Sequence, residues 1–595
     1  MWRRAEIWDP KVVAIDTFGE PILSLSGLKL KNLSCLRYVR HAEPGEGKAF
    51  FDIFISADQQ NPASEQVANE PIVTTPGHDL VMATAKKLLA RCLSESSSKE
   101  HKHCSQKDLP LLPTRVIAID ENSQYIRLYE SIQHQRAQYI ALSYVWGMQT
   151  QPITTTAATL NKHINGIQVS ILPQTIQDAI RTASKLGIQY LWVDVLCIIQ
   201  DKGHPDKARE LKNMGEYYKN ATLTIAAAAA TKVTQGFLHL REPPLACELP
   251  LYIPHGPQGK ITATAKVSSE RALEPLYSRA WALEEFLLSP RLLIFGTREA
   301  IWQCNFSDPQ PVLPSNIEYD PSWPCRRLAN KERRRTIWSV VVKDYTARDM
   351  TYLSDRLPAI DGFARMLEVK WKDTYLYGLW YSRLHVELMW GSDCKTLPDP
   401  AKLRAPSWSW AAVDGKVKIP PMFSERKDAE IKWVDDHNGG VKGQLCLHAA
   451  VKSLKDLRPL IEKRRAEPEN EPGKPTYSGV HDDIQVLDDE SIKFILLGFH
   501  SSGAFGLLVR PVASDSKLYM RSLHNQVSFA VKFNQNTTNS IKQYCCQVDG
   551  GKLLAQRHKV DMGDGSGGGI GARAITDRRE LGIPSALPYT SLRIL

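Results

Sequence analysis

The 595-residue sequence contains no run of about eighteen apolar residues, so no helix is expected to span a membrane. It has no phosphate loop of the Gly-x-x-x-x-Gly-Lys-Ser/Thr type, which argues against a nucleotide-driven motor module. No internal repeat is visible, so a solenoid or propeller is not expected. The first residues lack the apolar core of a secretion signal, because Glu6, Asp9 and Pro10 interrupt it. The eleven cysteines are scattered and odd in number, which fits reduced thiols in the cytoplasm better than a disulfide framework. Neither charge sign dominates: 75 basic against 65 acidic side chains leave a net +10, too mild over this length to call for a specific nucleic-acid partner.

What is present is an ordinary globular composition, 43% hydrophobic and 24% charged, in a chain too long for one core. Residues 1–110 read as irregular, with polar loops around Gln59 and Ser94. Residues 139–305 carry the clearest pattern. Tyr139 to Tyr144 is short and apolar, as in a buried strand. Pro173 suits a helix start, Ile176, Ala179, Ile180 and Ala183 repeat at helical spacing, and Gly187 supplies the stop. Tyr190 to Ile199 reads as a second buried strand. Ala208, Leu211, Met214 and Tyr218 suggest a helix, and the Leu223 segment a third strand, although its alanines also suit a helix. This alternation predicts an α/β fold: a parallel sheet flanked by helices, followed by an α+β region.

The motifs within this pattern carry a resemblance. Tyr139-Ile-Ala-Leu-Ser-Tyr-Val-Trp-Gly147, Leu191-Trp-Val-Asp-Val-Leu-Cys-Ile-Ile-Gln-Asp201, and Tyr277-Ser-Arg-Ala-Trp-Ala-Leu-Glu-Glu-Phe-Leu-Leu-Ser-Pro-Arg291 occur in that order. They resemble the heterokaryon-incompatibility (HET) domain family of filamentous fungi, whose members are linked to non-self recognition and regulated cell death. Glu284 departs from the family pattern, which usually has Gln there. The resemblance extends through Leu112-Pro-Thr-Arg115 before the domain, and through residues 351–358 and Arg404-Ala-Pro-Ser-Trp-Ser-Trp410 after it. It implies a lead-in and HET domain at 111–305 and a helical and strand flanking region at 306–415. A C-terminal α+β or β region is expected at 416–556, and a disordered Gly-rich tail at 557–595.

Part of the third motif, from Ser278 to Glu285, also resembles Toll/interleukin-receptor (TIR) domains, some of which cleave NAD. The resemblance implies a TIR-like fold with Glu285 in the catalytic position. Ala282 stands where those domains carry Cys. A fixed carboxylate would stabilise the positive charge that develops on ribose as the N-glycosidic bond breaks. Ser143, Trp146 and Asp194 are expected beyond the ends of neighbouring strands, where open parallel sheets bind ligands. Trp146 or Trp281 could stack on a flat base. The plainer alternatives are a core Trp146, an Asp194 capping a turn, and a surface Glu285 paired with Arg279 or Arg291. No cofactor is implied with certainty, with NAD a candidate substrate, and protein partners or self-association are expected.

The other constellations read as structural: Ser407, Trp408, Ser409 and Trp410 alternate as a strand, and Ile360, Phe363, Ala364 and Leu367 form one apolar helix face after Pro358. Cys197 suits a buried, inert thiol better than a nucleophile, since nothing aims His163 or His204 at it. Cys92 with His101, His103 and Cys104 is rich in ligand types, but its spacing is irregular for zinc, and no metal site is assigned. Gly563 to Gly568 fits Gly-x-Gly-x-x-Gly formally, yet no strand precedes it. Three readings stay open: an effector that consumes NAD, a non-enzymatic module that signals by assembly, and an inactive relic.

Overall fold

The computed structural model describes residues 49–94, 101, 104, 108–120, 122–147, 152–252, 258–265, 267–268, 274–305, 307–318, 334–392 and 404–419. Strands at 23–24 and 35–40, strand segments between 426 and 594, and the single residues 429 and 491 complete the described set. The chain divides into two compact units, Met1–Arg327 and Leu328–Leu595.

The first unit is built on a nine-stranded sheet. Its strands are β1 (Arg115–Ile119), β2 (Tyr125–Glu130), β3 (Tyr139–Ser143), β4 (Ile167–Gln168), β5 (Tyr190–Trp192), β6 (Leu223–Ala226), β7 (Arg291–Phe295), β8 (Ala300–Cys304) and β9 (Gln310–Pro311). In space they run β9-β8-β7-β6-β3-β5-β1-β2-β4. The inner strands β7, β6, β3 and β5 are parallel. In chain order that core reads second, first, third, fourth, a doubly wound order. Besides the short helix Leu160–Asn165, the helices are α1 (Asp79–Leu93), α2 (Gln174–Leu186), α3 (Asp194–Cys197), α4 (Pro205–Asn220) and α5 (Ala280–Leu288).

The local causes are readable. All five residues of β3 are buried, as expected of a strand covered on both faces. Ile176, Ala179, Ile180 and Ala183 form the buried stripe of α2, and Gly187 ends it at φ +80°, a left-handed cap. The buried line of α4 is not the expected apolar one. Asp206, Glu210, Met214 and Tyr218 face inward, four residues apart, while Leu211 is exposed. The two acids are buried because partners await them. Arg115 bonds Asp206, and Glu210 accepts from Thr114 Oγ1 at 2.9 Å and Tyr217 OH at 2.6 Å.

Four expectations are corrected. The sheet is mixed, not parallel throughout, because β1 pairs antiparallel with β5 and β2 with β1 on one side, and β8 pairs antiparallel with β7 and β9 with β8 on the other. The second strand stops at Trp192, and Asp194 opens the short helix α3. The N-terminal region is not merely irregular: Cys35–Arg40 and Ala49–Ser56 join Gly259–Ala265 and Ala246–Tyr252 in a five-stranded sheet. Ile55, Ala63, Val67, Leu251, Ile261 and Ala263 form its core. In the second unit, Ser407 to Trp410 is a turn entering a short 3-10 helix, not a strand. It is held by Trp410 Nε1 donating to Gly378 O at 2.7 Å and Trp390 Nε1 donating to Trp408 O at 2.8 Å.

The second unit otherwise follows expectation near its start. Ile360, Phe363, Ala364 and Leu367 line one buried face of Pro358–Trp371. Further on, a ten-stranded sheet includes Thr590–Ile594, antiparallel to Gln444–Ala449. The expectation of a mobile tail from Arg557 otherwise falls outside the described residues, as does the glycine-rich stretch at 563–568.

One ion pair ties the lead-in to the domain. Arg115 on β1 is buried, donates Nε to Cys197 O at 2.9 Å and pairs with Asp206. Burial pushes the Asp206 carboxyl up, but the Arg115 hydrogen bond, the Ile199 amide and the charges of Arg115 and Arg209 outweigh it and hold it below the usual range. Removing one partner of a buried pair strands the other. Arg115→Met is expected to cost about 3–5 kcal/mol in denaturant unfolding of the full chain. A loss below about 1 kcal/mol would show that Asp206 finds other compensation.

Candidate functional site

The parallel strands end on one edge, where three motifs meet. Ser143 is the last residue of β3, level with Ala226 at the end of β6, and its carbonyl accepts from Ala227 N at 2.9 Å. Asp194 stands two residues past β5, as the first residue of α3. Glu285 lies on α5, a helix buried at every position except Trp281. A helix apolar nearly all round must sit inside the protein, and it carries Glu285 in with it. The expectation of a surface acid is therefore corrected: Glu285 is 5% exposed. Arg291 is not its partner, since that side chain bonds Thr222 O, Cys104 O and Cys92 Sγ.

The side chains form one hydrogen-bonded cluster. Ser143 Oγ donates to Glu285 Oε2 across 142 residues of sequence. Tyr144 OH donates to Asp194 Oδ1 at 3.0 Å, and Trp146 Nε1 donates to Asp194 Oδ2 at 3.0 Å. Tyr218 OH donates to Leu142 O at 3.0 Å and lies within hydrogen-bond reach of Glu285. Arg279 Nη1 donates to the Tyr144 carbonyl, and its positive charge acts on both carboxylates. Ser143 and Tyr144 are buried, whereas Trp146 and Asp194 are half-buried.

The electrostatics follow from burial. Loss of hydration pushes the Glu285 carboxyl up to about 7, and the charge of Asp194 adds to this. The Arg279 guanidinium and the Ser143 and Tyr218 hydroxyls offset part of the shift. Burial likewise raises Asp194, against the Arg279 charge and the bonds from Tyr144, Val195 N and Trp146. Two carboxyl groups beside one guanidinium are thus both pushed up by burial, and Glu285, at about 7, is the one that titrates near neutrality.

Of the residues singled out in the sequence, Ser143, Trp146, Asp194 and Glu285 come together. Trp281 is half-buried on the first turn of α5 and takes no part in these hydrogen bonds. Tyr144, Tyr218 and Arg279 were not singled out for the site. Tyr144 and Arg279 sit inside quoted motifs, but nothing in spacing aims them at the acids, and Tyr218 reads as an apolar helix position. Cys197 is buried and its thiol is pushed up to about 12 by burial, as befits an inert side chain. His163 is buried in Leu160–Asn165, bonded to Thr155 Oγ1 at 2.9 Å, and His204 caps α4.

Comparison with known proteins gives one finding. Residues 139–285 match the family model described as "Heterokaryon incompatibility protein (HET)". The match starts on the first residue of β3 and ends on Glu285, so it holds the whole cluster. Neither the curated proteins nor the solved structures give a match. With three motifs in order, their side chains gathered at one sheet edge and the family match over that same stretch, this chain carries a heterokaryon-incompatibility (HET) domain at residues 139–285.

Proposed function

We propose that this HET-domain protein is a cytoplasmic effector of non-self recognition and regulated cell death that cleaves NAD or a related dinucleotide. The HET domain ties the chain to heterokaryon incompatibility; the chemistry is our reading. The observation that supports it is the convergence of Glu285, Asp194 and Ser143 from three motifs on one strand edge. The partial TIR resemblance around Glu285 supports it too. Among the described residues no helix is long and apolar enough to cross a membrane.

In this reading the bond from ribose C1′ to the nicotinamide nitrogen breaks, and its electron pair leaves with nicotinamide. The ionised Glu285 carboxylate stabilises the positive charge left on ribose, held in place by Ser143 and Tyr218. Water then adds to C1′ and releases its proton, so NAD and water give ADP-ribose, nicotinamide and a proton. Arg279 offers positive charge for a pyrophosphate, and Trp146 an aromatic face for a base. The assembly module remains the second reading, favoured by the near-complete burial of Glu285 and Ser143.

Because the step needs ionised Glu285, nicotinamide release by the full chain is expected to rise with pH through about 7. Glu285→Gln should lower release on the order of 100-fold or more, read by chromatography of the products. Absence of nicotinamide release from the wild-type chain at any pH rejects the enzyme reading in favour of assembly.

Stability should move in the opposite direction. The carboxyl titrates at 4.5 when unfolded and at about 7 when folded, so the folded chain binds the proton more tightly. Its contribution is full below pH 4.5 and lost as pH rises through 7. Wild type should therefore lose stability relative to Glu285→Gln between pH 5 and 8, by at most on the order of 3 kcal/mol. A difference that does not change with pH would mean that Glu285 is ionised throughout.

A further inference from the structure

Away from the strand-edge cluster, four side chains with metal-binding atoms face one another. Cys92 sits on the last turn of α1, on the inward face it shares with Val81, Met82, Ala85 and Leu89. His101 and Cys104 are joined by a tight turn in which Cys104 N donates to His101 O at 2.7 Å. Cys304 ends β8. The three sulfurs and one imidazole nitrogen all lie within 4.8 Å of one another, and Cys304 Sγ is 3.9 Å from His101 Nδ1. Four tetrahedral ligands at about 2.0–2.3 Å from a zinc ion sit roughly 3.5–3.8 Å apart. The cluster is thus the size of one ion's coordination sphere.

The surroundings suit thiolates. Arg291 Nε donates to Cys92 Sγ at 3.2 Å, and Ser307 N donates to Cys304 Sγ at 3.2 Å. Ser307 Oγ lies 3.1 Å from the same sulfur. These groups approach the sulfurs from outside while the sulfurs face inward, the usual arrangement around a bound metal. Charge points the same way. Arg291 is fully buried, and its hydrogen bonds go to Cys92 Sγ, Thr222 O and Cys104 O, none of them a carboxylate. Three thiolates and a divalent ion carry a net charge of about −1, which would balance that guanidinium. Three neutral thiols would not.

We propose that Cys92, His101, Cys104 and Cys304 bind one zinc ion in a closed, structural Cys3His site. Sulfur-rich tetrahedral coordination selects zinc over the harder divalent ions, and four protein ligands leave no open position for catalysis. All four ligands lie outside the matched residues 139–285. The ion fastens α1, ahead of the domain, to β8 beyond it. Arg291 extends the clamp inward, since its Nη1 donates to Thr222 O at 3.0 Å next to β6. Sequence spacing gives three of the ligands near each other; the fourth is 203 residues from His101, and only the fold delivers it.

The test uses the full chain, purified without chelator. Elemental analysis is expected to find one zinc per chain, released when a mercurial reagent titrates the thiols. Replacement by cobalt should give the intense visible bands of a tetrahedral ion and thiolate-to-cobalt charge transfer. Cys304→Ser should lose the metal. His101→Cys should keep it and strengthen the charge-transfer band, an outcome that loss of folding cannot imitate. If the ligand variants do not fold, the wild-type zinc content and cobalt spectrum decide alone. A folded wild-type chain that holds no zinc after zinc is supplied, an octahedral cobalt spectrum, iron–sulfur absorption, or a disulfide between two of these cysteines would each overturn the proposal.

Discussion

Parallel strands run their carboxyl ends to the same side, and in this chain β5, β3, β6 and β7 obey that constraint together. Antiparallel neighbours can be joined by a tight turn, but parallel ones need a crossover, so each return to the edge brings in distant sequence. The constraint therefore decides which residues can meet. Ser143, Asp194 and Glu285 belong to segments that no local interaction would assemble. The same constraint sets their electrostatics. The crossover helices cover the strand ends, and covering them removes water from the carboxyl groups.

Inward-turned guanidinium groups, three buried and that of Arg279 half-buried, are the second organising element. Arg115 bonds Cys197 O, Arg279 bonds Tyr144 O, and Arg291 bonds Thr222 O and Cys104 O. Arg241 bonds Gly296 O at 3.1 Å and Phe237 O at 2.8 Å. Their acceptors are carbonyls near strand ends or in the turns and the short helix α3 beyond them, where ladder hydrogen bonds run out. A planar fork with five donors satisfies several acceptors at once, which a lysine could not do. The basic residues that matter most here are therefore the inward ones, and the mild net charge carries no sign of them.

Legibility in the sequence followed the range of the forces. The stripe of α2 and its Gly187 stop were readable, because periodicity and a left-handed cap are local. The parallel trio β3, β5 and β6 was readable from apolar runs alternating with helices. Antiparallel β1, β2, β8 and β9 were missed, because a strand's direction depends on which edge it joins. The inward face of α4 was misread, because Asp206 and Glu210 look like surface residues until Arg115, Thr114 and Tyr217 are placed beside them. The gathering of Ser143, Trp146, Asp194 and Glu285 was legible through motif resemblance and the strand-edge rule. The roles of Tyr144, Tyr218 and Arg279 were not, because they depend on side-chain reach.

The pairing of Ala49–Ser56 with Gly259–Ala265 has a consequence for the boundaries of the domain. A fragment limited to residues 139–285 would leave Gly259–Ala265 without that neighbour, β5 without β1, and β6 without β7. Three ladders of unsatisfied amides and carbonyls would face solvent, each a template for another copy of the same fragment. During synthesis the early strands must likewise wait for partners roughly two hundred residues later, a separation that slows closure of the sheet. The stretch that defines the family by sequence is thus not the stretch that closes by hydrogen bonding. Evolutionary boundary and folding boundary differ in this protein, and the residues between them hold the sheet's edges shut.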